Sequence, residues 1–246
     1  MFFNNKTAID YRADIDGLRA LAVFSVIFFH ADLFFFRGGY IGVDIFFVIS
    51  GYLITKIIIS DLKKNKFSIV NFYERRIRRI IPALYFVIII FFPIFCFYLN
   101  PAKAQEFFRT VLSTIGFFSN IFFWRTSGYF DTESQLKPLL HTWSLSLEEQ
   151  FYLIFPIFLI FIWKFFKDYF LFFITSIICL SFFFAEYFVY SKPIASFFLL
   201  PTRGWEFLLG SVTFFIEKKK YLKKKFLLDF ISLVGILFIF ISIFFF

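Results

Sequence analysis

The stretch GLRALAVFSVIFFH, residues 17–30, is a nearly unbroken apolar run that carries Arg19 near one end and His30 at the other. If the run is an α-helix, the residues from Arg19 to His30 turn through about 1100°, close to three full circles, and rise about 16 Å. Both side chains then project from one face at two heights. A run of this length and apolarity is typical of a helix that crosses a lipid bilayer.

The composition agrees with a membrane protein. The chain has 246 residues, of which 60% are hydrophobic, and it contains 49 phenylalanines, far from the mix of a soluble domain. The net charge of +9 comes from positive residues clustered between apolar runs, as orientation signals are, so we expect no nucleic-acid partner. Cys96 and Cys179 both fall inside apolar runs, which supports neither a disulfide framework nor a thiolate metal site.

The apolar runs predict seven membrane spans and one ambiguous segment. Runs long enough to cross about 30 Å of hydrocarbon lie at 18–36, 40–60, 80–99, 150–166, 169–190, 195–216 and 226–246. The segment 107–124 is more polar than these runs. The most basic connections, 56–79 and 217–225, should both be cytoplasmic, which requires an even number of crossings between them. We therefore expect 107–124 to be re-entrant or to lie along the outer interface, as part of a cavity wall.

These spans predict the fold class and the organisation of the chain. We expect an all-α, polytopic membrane bundle of about seven transmembrane helices plus one re-entrant or interfacial segment. Residues 1–17 form a cytoplasmic or interfacial N-terminus with no signal-peptide cleavage site after it, and residues 18–246 form the membrane domain. Because the chain ends at Phe246 inside an apolar run, we expect this domain to be incomplete at its C-terminus. No internal repeat, phosphate-binding loop or zinc motif occurs in the sequence.

Two ionisable residues are predicted to lie inside the first two spans. His30 falls about 9 Å below the outer end of its run, and Asp44 falls about 6 Å below the start of the next run. A carboxylate beside a histidine fixes the tautomer and raises the basicity, as a general base requires. Alternatively, the pair joins two helices without chemistry. Ser50 and Gly51, deeper in the second run, are typical of close helix packing.

A cluster of arginines precedes the third predicted span, which Pro82 helps to open. The motif FYERRIRRIIP, residues 72–82, contains Arg75, Arg76, Arg78 and Arg79. Such a cluster is explained by the positive-inside signal alone. Arginine is also the side chain that grips phosphate with two parallel hydrogen bonds. Arg19 faces the same interface, as a topology anchor or as a ligand. The sequence leaves two interpretations of these groups open, an orientation signal and an anion site.

The outer segment 129–152 carries further candidates. Ser146 and Glu149 fit a capping box at the start of the fourth span. The residues of this segment without a local structural reason are Asp131, His141, Trp143 and Glu148. Aromatic side chains beside carboxylates are typical of sugar sites, although tryptophan also belongs to the interfacial belt of membrane proteins.

The motif PTRGWEFLLG, residues 201–210, contains one more charged pair. Arg203 and Glu206 are three residues apart, on one face of a helix, at the level predicted for His30. Such a pair neutralises itself or forms part of a site, and the sequence leaves both interpretations open.

Five motifs together resemble the acyltransferase family 3 of bacterial membrane proteins, the O-antigen acetylase-like enzymes. In the order of that family, from about residue 10 to about residue 215, they are GLRALAVFSVIFFH, GGYIGVDIFFVISGYLIT, FYERRIRRIIPALY, YFDTESQLKPLLHTWSLSLEEQFYLIFP and PTRGWEFLLG. The family's Arg or Lys, ten residues, then His pattern matches Arg19 and His30. Its cytoplasmic arginine motif matches Arg75 to Arg79. The family usually has more membrane spans than the seven predicted here. Many members also have an outer SGNH-type domain, and we identify no such domain in this sequence.

The resemblance implies a membrane O-acyltransferase of the bacterial inner membrane with a cytoplasmic N-terminus. The donor is acyl-CoA, usually acetyl-CoA, and the acceptor is a hydroxyl of an envelope polysaccharide (O-antigen, exopolysaccharide or peptidoglycan) or of a lipid-linked sugar. We expect no permanently bound cofactor and no metal. Arg19 and the arginine cluster would hold the coenzyme A phosphates, and His30, oriented by Asp44, would deprotonate the acceptor or take the acyl group first.

The remaining candidates are assigned to the acceptor side. They are His141, Trp143, Glu148, Arg203 and Glu206. The competing hypotheses are a transporter or flippase for an anionic or lipid-linked substrate, which uses the same charges as a relay, and an inactive truncated remnant.

Overall fold

The computed structural model describes residues 12–127, 137–219 and 225–245. Within these ranges every regular element is helical, which confirms the predicted all-α class. Asp131 and most of the basic stretch between the last two predicted spans lie outside the described residues.

The helices follow one another with short connections. In chain order they are α1 (Ala13–His30), α2 (Gly42–Lys63), α3 (Ile69–Tyr98), α4 (Pro101–Ile115), α5 (Ser119–Thr126), α6 (Thr142–Phe165), α7 (Phe170–Ser191), α8 (Pro193–Phe198), α9 (Leu200–Lys219) and α10 (Lys225–Phe245). A 3-10 turn at Gly39–Ile41 leads directly into α2.

Five helical segments of the described chain are long and apolar enough to cross a membrane. They are Gly39–Lys63, Ile69–Tyr98, Thr142–Phe165, Lys167–Ser191 and Phe226–Phe245. Each coincides with a span predicted from the sequence, and several such helices make this a multi-pass membrane protein. The other two predicted spans fall on α1 and α9, which are also helical but carry more charged residues.

Several helix boundaries differ from the predicted spans. α1 ends at His30, not at residue 36. α3 begins at Ile69, where the Ser68 hydroxyl accepts a hydrogen bond from the Asn71 amide at 3.3 Å, so Pro82 lies inside the helix and does not open it. The run 195–216 is divided at Leu199 between α8 and α9. Hydropathy alone cannot predict where these helices begin and end. A polar N-cap residue and arginines also favour a helix, although neither is apolar.

The polar segment 107–124 forms two short helices. Asn100 caps α4 by accepting a hydrogen bond from the Lys103 amide at 2.9 Å, and α4 ends before Gly116. Phe117 takes a positive φ of 55° at the break. At 1.5 Å per residue, α4 and α5 are about 22 Å and 12 Å long, and both are shorter than the hydrocarbon core. The structure therefore agrees with the prediction that this segment does not cross the membrane.

The chain divides into two compact units. Unit 1 comprises Met1–Ile59 and Glu206–Phe246, and unit 2 comprises Ser60–Trp205. Unit 2 has an apolar core between α3, α4 and the residues before α6, formed by Leu84, Ile88, Phe107, Val111 and Leu139.

In unit 1, glycines allow helix backbones to touch. A Cβ on Gly39 or Gly42 would overlap the main-chain oxygen of Ser25 or Ala22, respectively, on α1. Close backbone approach at small residues is the usual way in which membrane helices pack. α2 therefore runs back along α1 in direct contact with it.

The second close contact in unit 1 joins α2 and α9. A Cβ on Gly51 would overlap the carbonyl of Phe207, and one on Gly210 would overlap the carbonyl of Val48. The packing role predicted for Gly51 is therefore confirmed. One turn further along α2, the buried Thr55 hydroxyl donates to the Ser211 hydroxyl at 2.8 Å.

Candidate functional site

His30 is the last residue of α1 and is exposed. Its Nδ1 lies 2.8 Å from the main-chain oxygen of Val26, one turn earlier. Because a carbonyl oxygen only accepts, Nδ1 must donate, and the neutral imidazole therefore carries its lone pair on Nε2. The helix itself thus presents an oriented, accessible ring nitrogen that can take a proton.

Asp44 does not share the height of His30. It lies in the first turn of α2 and is half-buried. A Cβ on Gly42 would overlap the turn of α1 from Ala22 to Val26, about 9 Å below His30. Asp44 follows two residues further down α2, so it lies about 12 Å below His30 along the axis of α1. The predicted common depth is wrong, since α1 stops at His30 and the turn at Gly39–Ile41 begins α2 beside the middle of α1. The carbonyl of Val26 supplies the orienting contact that the sequence assigns to Asp44.

Arg19 lies on the same uninterrupted helix as His30, so the predicted separation of about 16 Å along the axis is retained. Its Nη1 is 3.2 Å from Oδ1 of Asp16, and about a third of its side chain is exposed. An ion pair this exposed contributes little free energy. Arg19 can therefore exchange this partner for an anionic ligand at low cost.

A charged cluster that no sequence pattern predicts joins the start of α1, the middle of α2 and the end of α9 in unit 1. Arg12 donates to Oε1 of Glu217 at 2.8 Å and to Oδ2 of Asp14 at 2.6 Å. The hydroxyl of Tyr52 donates to Oε2 of Glu217 at 2.6 Å. The Arg12 guanidinium lowers the pKa of the Asp14 carboxyl to about 2. No local sequence pattern predicts this cluster, because Tyr52 and Glu217 are 165 residues apart in the chain.

In unit 2 the structure separates the four arginines of α3 by their environment. Three of them are exposed: Arg75 lies 3.7 Å from Asp61, Arg78 lies 2.8 Å from Glu74, and Arg79 is the third. Arg76 is half-buried, and its guanidinium lies 4.8 Å above the ring of Tyr152 on α6. Only Arg76 therefore points into unit 2, a distinction that the motif alone does not make.

Two carboxylates of α6 lie near Arg76. The hydroxyl of Tyr152 donates to Oε2 of Glu148 at 3.2 Å. Oε1 of Glu149 is buried and has no hydrogen-bond partner among the described residues. Both carboxylates act electrostatically on Arg76. The sequence patterns predict Arg76 and Glu148 at opposite interfaces, whereas the structure brings them together.

The longer helices explain this difference. α3 and α6 both begin well before the spans predicted for them, so the arginines and the carboxylates fall on stretches that overlap. The hydroxyl of Tyr73 donates to the carbonyl of Leu153 at 2.9 Å, which fixes a point at which the two helices meet.

The capping box predicted at Ser146 is wrong, because α6 begins at Thr142 and Ser146 lies inside it. The Ser146 hydroxyl is buried and bonds the Ser119 hydroxyl at 2.7 Å. Glu149 therefore does not have the capping role that the sequence pattern predicted for it. The sequence does contain a signal for Glu149, because it is a carboxylate inside an apolar run and such groups are functional candidates by default.

A cation–aromatic cluster forms at the start of α6. The Arg203 guanidinium lies 5.5 Å above the ring of Trp143 and 5.6 Å above the ring of Phe197. His141 precedes the first residue of α6 and is exposed. The structure thus brings Trp143 and Arg203 together within unit 2. Glu206, which belongs to unit 1, follows one turn later on α9 and is buried.

The polar side chains of α4 and α5 are used to hold α6. The Asn120 amide donates to the carbonyl of Phe198 at 3.0 Å and accepts from the Gln150 amide at 2.8 Å. The Thr142 hydroxyl donates to the Ser119 hydroxyl at 3.1 Å. The segment predicted to line a cavity is therefore a buried support that fixes the helix carrying Trp143, Glu148 and Glu149.

Comparison with known protein families shows which family the chain belongs to. The sequence profile of acyltransferase family 3, described as an acyltransferase domain, matches residues 12–246. The chain belongs to this family. Both the Arg19–His30 helix and the cluster around Arg76 lie inside the matched region.

Individual relatives within acyltransferase family 3 are similar to this chain over part of their length. The peptidoglycan O-acetyltransferase OatA of Listeria monocytogenes is 42% identical over 160 residues, which cover 64% of this chain and 26% of the relative. The O-acetyltransferase OatA of Staphylococcus aureus is 37% identical over 220 residues, covering 87% of this chain and 36% of the relative. The chain thus spans only about a quarter to a third of the length of these relatives. No solved structure matches it.

Proposed function

We propose that this chain is a membrane O-acyltransferase that moves an acyl group, acetyl in the first instance, from acyl-CoA to a hydroxyl of a cell-envelope polysaccharide. The observation that carries the proposal is the hydrogen bond from Nδ1 of His30 to the carbonyl of Val26, which leaves Nε2 as an oriented base. Membership of acyltransferase family 3 supports the reaction class. The name of the Listeria relative supports peptidoglycan as the acceptor.

In the proposed reaction, Nε2 of His30 takes the proton of the acceptor hydroxyl while the hydroxyl oxygen attacks the thioester carbonyl carbon. A C–O bond forms, the C–S bond breaks, and the sulfur leaves with the proton that the imidazolium returns. If the acyl group passes first to Nε2 instead, the same lone pair is the nucleophile. A single turnover without acceptor separates these routes, because only the second leaves label on the protein.

On the donor side, we propose that the exposed arginines of unit 2, Arg75, Arg78 and Arg79, bind the coenzyme A phosphates at the cytoplasmic interface of the bacterial inner membrane. For unit 1 we propose Arg19 as a phosphate ligand and a cytoplasmic N-terminus. Arginine suits this role because its planar fork matches phosphate oxygens. To the acceptor side we assign Trp143, Arg203 and His141 of unit 2 and, separately, Glu206 of unit 1.

The test is the transfer of radiolabelled acetyl from acetyl-CoA to envelope glycan in membranes that contain the full chain. We expect the parent to incorporate label, His30→Ala to lose it, and Arg19→Ala to need more acetyl-CoA. The control is Lys192→Ala, an exposed residue between α7 and α8, which should match the parent.

Two results would contradict the proposal. A His30→Ala chain with parental activity would remove the proposed base. A parent that neither transfers acetyl nor binds coenzyme A would favour a transporter or an inactive protein, and solute movement indifferent to acetyl-CoA would identify the transporter.

A further inference from the structure

Arg76 and Glu149 are two groups of opposite charge in unit 2, and one carboxylate oxygen of Glu149 lacks a hydrogen-bond partner among the described residues. The Arg76 guanidinium is packed over the rings of Tyr152 and Phe72 and makes no hydrogen bond with the described residues. Oε1 of Glu149 is buried and also has no hydrogen-bond partner there. A buried acceptor without a donor costs about 1–3 kcal/mol, and more when it is charged. The buried oxygen of Glu149 therefore indicates a ligand that supplies a hydrogen-bond donor beside Arg76.

The charges around Arg76 decide which ligand fits. Glu148 and Glu149 both act electrostatically on Arg76, so a phosphate beside Arg76 would also meet two like charges. The exposed arginines of α3 are better placed for a phosphate. A guanidinium donor beside a carboxylate acceptor instead complements a group that has both an acceptor and a donor on adjacent atoms. A secondary amide has this arrangement, because its carbonyl accepts and its N–H donates.

The position of the pair along α3 indicates which amide it takes. Arg76 lies about 10 Å along α3 from its start at Ile69, on the same turns as the exposed arginines. A donor whose phosphates are held by those arginines must pass its extended arm along α3. In acyl-CoA that arm is pantetheine, which is built from secondary amides and leads to the thioester.

We propose that Arg76 and Glu149 form a binding site for a secondary amide of the pantetheine arm of the donor. Arg76 donates to the amide carbonyl, and Glu149 accepts from the amide N–H. Tyr152 supports the site by stacking under Arg76 and by holding Glu148. This inference rests on the proposed acyltransferase function, which it deepens by assigning the donor's arm to named residues.

The test compares two donors, acetyl-CoA and acetyl-pantetheine, which share the amides but differ in the nucleotide phosphates. Glu149→Gln and Arg76→Lys keep the size of each side chain, and Glu149→Leu removes the acceptor. For Arg76→Lys and Glu149→Leu we expect the donor KM to rise about tenfold to a hundredfold, by the same factor for both donors. Neither kcat nor the acceptor KM should change, and Glu149→Gln should show a smaller rise.

Two matched variants calibrate this result. Arg79→Lys changes an exposed arginine assigned to the phosphates, so its effect should appear with acetyl-CoA and vanish with acetyl-pantetheine. Glu186→Gln changes an exposed carboxylate on α7 and should match the parent with both donors.

Three outcomes overturn the amide site. An effect of Arg76→Lys that vanishes with acetyl-pantetheine assigns Arg76 to a phosphate. A change in the acceptor KM alone assigns the pair to an amide of the acceptor. Parental kinetics in Arg76→Lys and Glu149→Leu leave the pair without a ligand role.

Direct binding separates this inference from the proposed function. Calorimetric titration of the purified chain with pantetheine needs no chemistry. If the parent binds pantetheine and the two variants bind it at least about tenfold more weakly, the amide site stands even when no acetyl is transferred. If the parent binds neither pantetheine nor coenzyme A, both the site and the proposed function fail.

Discussion

Replacing Gly210 by alanine is expected to force α2 and α9 apart. In unit 1 a Cβ on Gly210 would lie 2.7 Å from the main-chain nitrogen of Tyr52 and 2.9 Å from the carbonyl carbon of Val48. Ordinary van der Waals contact begins at 3.4 Å, so the two backbones must separate by at least about 0.7 Å. Since the atoms in the way are main-chain atoms, no side-chain rotation relieves the overlap.

The cost of this separation follows from two local effects. Overpacking of a well-packed interior costs about 1–3 kcal/mol. The separation also stretches the hydrogen bond from Thr55 to Ser211 from 2.8 Å toward the limit of a hydrogen bond, and such a bond between membrane helices is worth about 0.6 kcal/mol. Against this, alanine gains about 0.5–1 kcal/mol over glycine in helix propensity. We expect a net destabilisation of about 1–3 kcal/mol.

The assay is thermal unfolding of the purified chain in one detergent, with Gly235→Ala as the matched control. Gly235 lies in α10, and a Cβ there would have nothing within 4 Å. Its substitution should leave the stability unchanged or raise it. Gly210→Ala should lower Tm by about 2–12 °C for a protein of this size. Equal melting of the two variants would show that the backbones do not touch and would refute this packing.

The remaining predictions concern the helix contact under α1, the buried polar support and the charged cluster at the start of α1. Gly39→Ala pushes against the carbonyl of Ser25 and shifts the helix that carries the proposed base, so acetyl transfer should fall by about tenfold or more. Ser146→Ala removes the acceptor for the buried amide of Ser119 and should lower the free energy of unfolding by about 1–3 kcal/mol. The stabilisation from Asp14 is present above about pH 4 and is lost as pH falls toward about 2. Between these two pH values, Asp14→Asn should therefore show a flatter dependence of Tm on pH than the parent.

Each of these predictions has a control inside the chain. Gly17→Ala adds a Cβ with nothing within 4 Å, and transfer should be kept. Ser144→Ala removes a hydroxyl that bonds only within its own turn, and it should change stability by less than about 0.5 kcal/mol. Asp168→Asn neutralises a carboxylate outside the cluster, and its acid melting curve should follow the parent. Agreement between any test variant and its control would contradict the contact concerned.

The sequence predicts which residues belong to the candidate site better than it predicts which residues they contact. The spacing of Arg19 and His30 survives because both lie on one helix, whose geometry depends only on residue number. The relative height of His30 and Asp44 could not be predicted in this way, because it depends on where α1 stops and how the chain turns back. Glu149 is missed because a capping motif explained it locally, whereas its helix begins several residues earlier.

The sequence by itself determined that this protein is an all-α membrane bundle of acyltransferase family 3, and which charged residues lie in its apolar runs. Hydrophobic length and motif order are properties of the chain, so no tertiary information was needed for them. Only the tertiary structure decided that Val26 orients His30, that Arg76 alone of its cluster points inward, and that Glu149 lies near it. These facts depend on the register between α3 and α6 and on glycine contacts between helices, which are set by packing between residues far apart in the chain.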